Sequence, residues 1–309
     1  MFELIKAAAA EHGDSLQLIP VERLQELKEE IRYFREHEEL NGFQQWITSD
    51  LYRFQLPDAD FTIRSILLVA LPHPPYARVD FIKQGVTYHF LSLIMPDFDH
   101  TEAYLRHLLE QKSYRLIKAD HLPLKRLAVR SGLAVYGRNN ICYVEGMGSN
   151  LSFAAYFTDL PCSDSNWFDL QSADLCSSCR ICYHHCPTGA IREDRFLIDN
   201  EKCLSAMNEM PGAFPEWLPL NVHHTLYDCL QCQVHCPMNR AYPDSIPIVT
   251  FSEEETEALL SGSPYDSFHT ELKDKSNLLG LTQWLSAIPR NLSLLFDTYE
   301  ADRYKNYLP

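Results

Sequence analysis

Seven of the ten cysteines in this 309-residue chain fall into two runs, and their spacing dictates what the chain must fold around. The first run, Cys176-Ser-Ser-Cys179-Arg-Ile-Cys182-Tyr-His-His-Cys186-Pro187, follows C-x2-C-x2-C-x3-C-P. The second, Cys229-Leu-Gln-Cys232-Gln-Val-His-Cys236-Pro237, is separated from it by an isolated Cys203. A 4Fe–4S cube takes four thiolates, and the last cysteine of such a run crosses to the other cube. Cys176, Cys179 and Cys182 therefore group with Cys236, and Cys186, Cys203, Cys229 and Cys232 complete the second set. Eight ligands divide into two cubes without remainder, so the expectation is two [4Fe-4S] clusters and a protein that moves electrons.

Zinc and disulfides are the competing readings of these cysteines. Zinc ribbons use separated C-x2-C knuckles rather than a third cysteine at the same interval followed by Cys-Pro. A disulfide framework belongs to an oxidising compartment. The opening Met1-Phe-Glu-Leu-Ile-Lys has an early acidic residue, and Ala7 to Ala10 is too short for a signal-peptide core. No apolar run approaches the roughly 20 residues of a membrane helix. A cytoplasmic, non-membrane protein is expected. Cys142 and Cys162 lie outside the pattern and read as small buried hydrophobes. With 27 basic and 42 acidic residues the formal charge is −15. Such a balance disfavours broad phosphate contact with nucleic acid and leaves room only for a local basic patch.

Hydrophobic periodicity predicts an α+β fold in three consecutive stretches. Val21, Leu24, Leu27, Ile31 and Phe34 recur at helical spacing within 21–40. The compact apolar run Ser65 to Leu71, stopped by Pro72, reads as a buried strand. Tyr104 to Lys112 reads as a helix, and Lys125 to Ser131 as a second one closed by Gly132. A strand is expected from Asn140 to Val144 and a turn at Gly146-Met-Gly148-Ser149. Leu151, Phe153, Ala155 and Phe157 then alternate along another strand. Leu197-Ile-Asp199 is expected to be a short strand, with Asn200 capping the helix of Cys203. The acidic run Glu253 to Glu257 opens a helical tail and reads as a solvated face. These signals set boundaries at 1–172 for a mixed-sheet domain, 173–242 for a two-cluster ferredoxin-like domain, and 243–309 for the tail.

No G-x-G-x-x-G follows a strand, no P-loop motif occurs, and the thirteen histidines offer no convincing metal pair. His184 and His185 sit between cluster ligands, where packing or hydrogen bonding to sulfur is expected. The order of the remaining elements is more specific. Asp120-His-Leu-Pro123, Arg126-Leu-Ala128, Gly132-Leu-Ala-Val-Tyr-Gly137-Arg138-Asn139, Gly148-Ser149 and the two cysteine runs, spanning roughly 65–240, resemble the epoxyqueuosine reductase family. More distantly they resemble the reductive dehalogenases. The resemblance implies a cobalamin-binding first domain, cobalamin beside the two clusters, an external low-potential electron donor, and reductive removal of an epoxide oxygen from tRNA.

By the same resemblance, Asp120 donates a proton near the cobalt. Gly137, Arg138, Asn140, Cys142 and Ser149 line the corrinoid pocket, and Ser205 approaches it. An acid used this way gains from burial, so Asp120 is expected in an apolar wall. Without the resemblance it reads as an ordinary helix cap before Leu124. The chain departs from the family's Gly-Leu-Gly-Trp-x-Gly-Lys at Ala134, Val135 and Arg138, and from its Ser-Tyr-Leu-Thr-Ile-Glu after Ser205. A paralogue reducing another substrate, or a two-cluster electron carrier serving a partner, are the alternatives.

Overall fold

The computed structural model describes residues 1–163, 166–194, 197–239 and 245–308. The chain is α+β and divides into two units, 1–72 with 96–179 and 73–95 with 180–309.

In the first unit, four antiparallel strands order as Ser15–Pro20, Ser65–Pro72, Leu151–Thr158 and Leu116–Lys118. Ile66 to Leu71 is apolar without interruption because the sheet is covered on both faces. Ile66, Leu68 and Ala70 pack with Ala155 and Phe157 against Leu24 and Leu27 of helix Arg23–His37 and Leu127 of helix Leu124–Arg130. Leu67, Val69 and Leu71 face the other way, with Ala154 and Tyr156, against Ile5 of helix Phe2–Glu11 and Leu105 of helix Phe98–Glu110. Alternation along the strand thus selects a layer rather than solvent. Each such side chain contributes about 1.5–3 kcal/mol by leaving water. The expected strand over Asn140 to Val144 contracts to Cys142–Tyr143, paired with Val135–Tyr136. The turn after it forms as expected, with both Gly146 and Gly148 at positive φ, a backbone that favours glycine.

The second unit corrects the linear division. Hairpin Ala77–Lys83 and Val86–Ser92 pairs not with the strands around it in sequence but with Ile248–Phe251, in parallel to the first of its two strands. Phe81 stacks on Phe251 at 4.6 Å, and both join Leu259, Leu272, Ile288 and Leu292 in one core. A shared core, not proximity in sequence, is why 73–95 leaves the first domain. The first unit also runs seven residues past the expected end at 172, and the boundary at 242 lies outside the described residues. The tail is therefore strand plus helix. Its helix Glu253–Leu260 starts with a capping box between Ser252 and Glu255. Glu255 departs from the expected solvated face, being buried against Lys275 at 2.8 Å.

Candidate functional site

Within the second unit Cys182, Cys186, Cys203, Cys229 and Cys232 pack into two small adjoining apolar clusters. Cys182 packs with Ile191 and Ile198, and Cys186, Cys203 and Cys232 close around the same pair. Cys229 sits beside Leu204 and Leu218. Cys186 and Cys203 lie close enough to Cys229 that their charges add to burial in raising its thiol. Backbone amides are aimed at these sulfurs. Ala190 N–H donates to Cys186 Sγ at 3.2 Å. Ser205 and Ala206 donate to Cys203, which occupies the N-cap of helix Leu204–Glu209. Gln231 donates to Cys229. Such donors stabilise thiolate and tune the potential of a bound cluster.

The expected strand at Leu197-Ile-Asp199 is absent, and Asn200 starts a 3-10 turn (Asn200–Lys202) instead. The N-cap position is held by Cys203 itself, in extended backbone conformation. Burial pushes the Cys203 thiol up to about 11 and Cys229 well above the usual thiol range. Iron must therefore displace protons on binding. Among the described residues no three His, Cys, Asp or Glu side chains converge on a single metal ion.

Of the first ligand set, Cys176 and Cys179 belong to the first unit and Cys182 and Cys236 to the second. Cys176 lies on the 3-10 turn Asp174–Ser177, whose Cys176 carbonyl accepts from the Arg138 guanidinium at 3.0 Å. Arg138 is itself buried. The glycine-rich element is thereby tied to the first cluster cysteine. His184 and His185 are exposed, and the His185 ring lies 4.1 Å from that of His235, tilted by 34°.

Asp120 departs from its expected apolar wall. Its side chain is 63% exposed, with Lys118 Nζ at 3.7 Å. The loop is anchored on either side of it: Ala119 N–H donates to Ala155 at 2.9 Å, and the His121 carbonyl accepts from Arg53 at 3.0 Å. With His121 at φ +62° and Leu122 buried, the intervening carboxyl is turned out to water. Nor does Asp120 cap the following helix, whose N-cap is Pro123 with no side-chain bond.

Five of the residues nominated for a corrinoid lie in the first unit, and Ser205 in the second. Asn140 adopts φ +59° and its carbonyl accepts from Lys125 Nζ at 3.0 Å. Ser149 is buried. Gly137 is required by protein packing, since a Cβ there would stand 2.5 Å from the Tyr143 ring. Cys142 lies in the sheet core, its thiol directed at the Lys125 carbonyl and pushed up to about 12 by burial. Cys142 and the Cα face of Gly137 are thus already covered by protein.

Ser205 reveals two residues that the sequence did not single out. Its hydroxyl is 2.8 Å from Glu209 Oε1 and 2.9 Å from Asp228 Oδ1. One hydroxyl proton serves one of these contacts, so the cluster is satisfied when a carboxyl carries another. Burial and the charge of Asp228 push Glu209 up to about 8, and burial also raises Asp228. The i, i+4 spacing of Ser205 and Glu209, and Asp228 directly before Cys229, were the available signals.

Residues 175–239 match the family model of the 4Fe-4S double cluster binding domain. Curated relatives include an epoxyqueuosine reductase of Cyclobacterium marinum, 31% identical over 161 residues, covering 50% of this chain and 49% of that protein. One of Staphylococcus aureus is 24% identical over 245 residues, covering 74% and 61%. The chain spans about half the length of the curated relatives it matches. The structure of epoxyqueuosine reductase from Streptococcus thermophilus superposes with TM-score 0.61 at 16% identity, over 98% of this chain and 82% of that one.

The chain has the epoxyqueuosine reductase fold. An epoxyqueuosine reductase crystallised with an epoxyqueuosine-modified tRNA-Tyr stem loop matches at TM-score 0.63 and 19% identity, over 95% and 80%. The Bacillus subtilis enzyme, at 0.58 and 20% over 95% and 80%, was captured with a catalytic aspartate loop swung out of the active site. No helix among the described residues is long and apolar enough to cross a membrane.

Proposed function

We propose that this chain is a cobalamin-dependent iron–sulfur reductase that removes the oxygen of an epoxide from an epoxyqueuosine-type nucleoside in RNA. One conjunction carries the reading: the fold shared with epoxyqueuosine reductases along nearly the whole chain holds a complete two-cluster cysteine set. The clusters and cobalamin, when bound, supply low-potential electrons for breaking a carbon–oxygen bond.

The chain's own residues supply the rest. Cys186, Cys203, Cys229 and Cys232 hold one cluster against fixed amide dipoles, and Arg138 fixes the backbone at the first ligand of the other. Arg138 and Asn140, at the glycine-rich element, and Ser149, of the Gly-Ser turn, would hold the corrinoid. Asp120 holds, at a carboxyl oxygen, the proton that the departing oxygen needs. Burial is what favours the neutral, donating form of such a carboxyl. The exposed Asp120 therefore has to turn inward, and the swung-out aspartate loop of the Bacillus subtilis enzyme supports a loop that does so.

The test is turnover of an epoxyqueuosine-containing anticodon stem-loop by anaerobically reconstituted protein with cobalamin and a strong chemical reductant. Wild type should reduce the epoxide, and Asp120→Asn should be at least about 100-fold slower with its clusters intact, the usual worth of a positioned acid. Clusters that reduce normally in a wild type without turnover would overturn the proposal in favour of an electron carrier or a different substrate.

A further inference from the structure

A cleft of about 600 Å³ opens in the first unit between helix Arg23–His37 and the residues around 48–55. Lys28, Arg32 and Arg35 line it from one stripe of the helix, at i, i+4 and i+7, and Arg53 lines it as well. Glu29 is the single carboxylate in the lining, and it already accepts from Gln25 at 2.7 Å. Arg32 has a loose ion pair with Glu36 at 3.9 Å. Among the described residues, Lys28, Arg35 and Arg53 have no carboxylate within ion-pair distance. In a chain of net charge −15 this is a local reversal of sign. Like charges gathered around a concave surface raise the potential there and concentrate anions.

Two further observations say what kind of anion. Tyr52 and Phe54 add aromatic surface to the same lining, which suits the flat face of a base. Arg53 also donates its backbone N–H to the His121 carbonyl, in the loop that carries Asp120. The wall follows a π-helical turn, Ile47–Leu51, a rare geometry that recurs at functional sites. We infer that this cleft binds the phosphodiester backbone of the RNA substrate, with Lys28, Arg32, Arg35 and Arg53 as phosphate partners. Arg53 links occupancy of the cleft to the position of the Asp120 loop. This rests on the RNA reading above and adds its docking site. A negatively charged protein electron donor is the competing occupant. The concave shape, the aromatic lining and the tie to the Asp120 loop favour RNA.

The experiment measures binding of a fluorescent anticodon stem-loop RNA to reconstituted protein across a salt series. It compares wild type, the triple variant Lys28→Gln/Arg32→Gln/Arg35→Gln, Arg53→Gln, and a charge-matched control, Lys6→Gln/Lys112→Gln/Lys305→Gln. The triple variant should bind about 30-fold more weakly. Its log K against log salt slope should be shallower by about 2, since each lost single-strand phosphate contact removes roughly 0.7. Arg53→Gln should lose about 5-fold, and the control should match wild type. Iron content and Tm, read on every variant, separate a lost contact from a lost fold. Equal losses in triple variant and control would overturn the inference, as would an unchanged triple variant. An unchanged RNA affinity with a slower rate from an acidic protein donor would assign the cleft to that donor instead. Displacement of the RNA by equimolar nucleoside monophosphate would point to a mononucleotide site and also overturn it. Tight cleft-dependent binding with no epoxide turnover would keep the inference and sink only the proposed reaction.

Discussion

The cysteine region around Ile191 and Ile198 and the loop around Asp120 are both short motifs, yet the chain treats them in opposite ways. The sulfurs are packed among apolar side chains and met by backbone amides that point at them before any iron arrives. The Asp120 carboxyl stands in water, in a loop whose backbone is bonded at Ala119 and His121 and whose Leu122 is buried. A cluster ligand has one geometry to keep, and rigid burial serves it. A proton donor has to be neutral at one moment and reachable at another, which a mobile carboxyl serves better. The difference also separates the two residues: Cys203 is packed into the fold, whereas Asp120 makes one loose, exposed contact with Lys118.

Substitution of Cys203 should show the largest effect. Cys203→Ala is expected to lower iron from about eight to about four per reconstituted chain, with one cluster signal lost from the reduced-state EPR spectrum. Asp120→Asn should leave iron content unchanged and stability within about 0.5 kcal/mol. A cluster lost in Asp120→Asn would break the contrast, and full iron in Cys203→Ala would remove Cys203 from the ligand set.

The next effect tests the acid pair beside Ser205. Below about pH 4.5 Glu209 is protonated in both folded and unfolded chains, so nothing is lost there. From pH 4.5 to about 8 the unfolded carboxyl ionises while the buried one keeps its proton. Stability should therefore fall with rising pH through that window, by up to a few kcal/mol, and level off above it. Glu209→Gln should flatten the profile of Tm against pH, and an unaltered profile in the variant would show that this carboxyl is not held neutral.

Smaller effects are expected in the glycine-rich element. Gly137→Ala drives a methyl into the Tyr143 ring and should cost about 1–3 kcal/mol in denaturant unfolding. Cys142→Ala, in the sheet core, should cost about 1 kcal/mol with iron unchanged. Loss of corrinoid binding in Cys142→Ala without any loss of stability would move that residue from the core to the pocket.

Local pattern made the elements of the first unit legible. The apolar run from Ser65 to Leu71, the periodic 21–40 segment and the Gly146/Gly148 turn each have a cause that acts within a few residues, namely side-chain periodicity or a positive φ. The double-cluster domain was legible for a similar reason, because four thiolates per cube impose arithmetic on cysteine spacing. Burial of the Asp120 carboxyl was not, since exposure depends on how its loop is tied to Arg53, nearly seventy residues earlier. The cationic cleft escaped for the same reason: Lys28 and Arg32 look like any solvated helix face until Arg53 joins them.

By itself, then, the sequence determined the double-cluster binding domain, the α+β class and the main helix and strand periods, all of which short-range chemistry enforces. Only the tertiary structure decided that the 73–95 hairpin would pair with Ile248–Phe251, that Ser205 would meet Glu209 and Asp228, and that Asp120 would face water. Those outcomes depend on which distant surfaces bury each other, and the apolar faces that drive that choice carry no address in the local pattern.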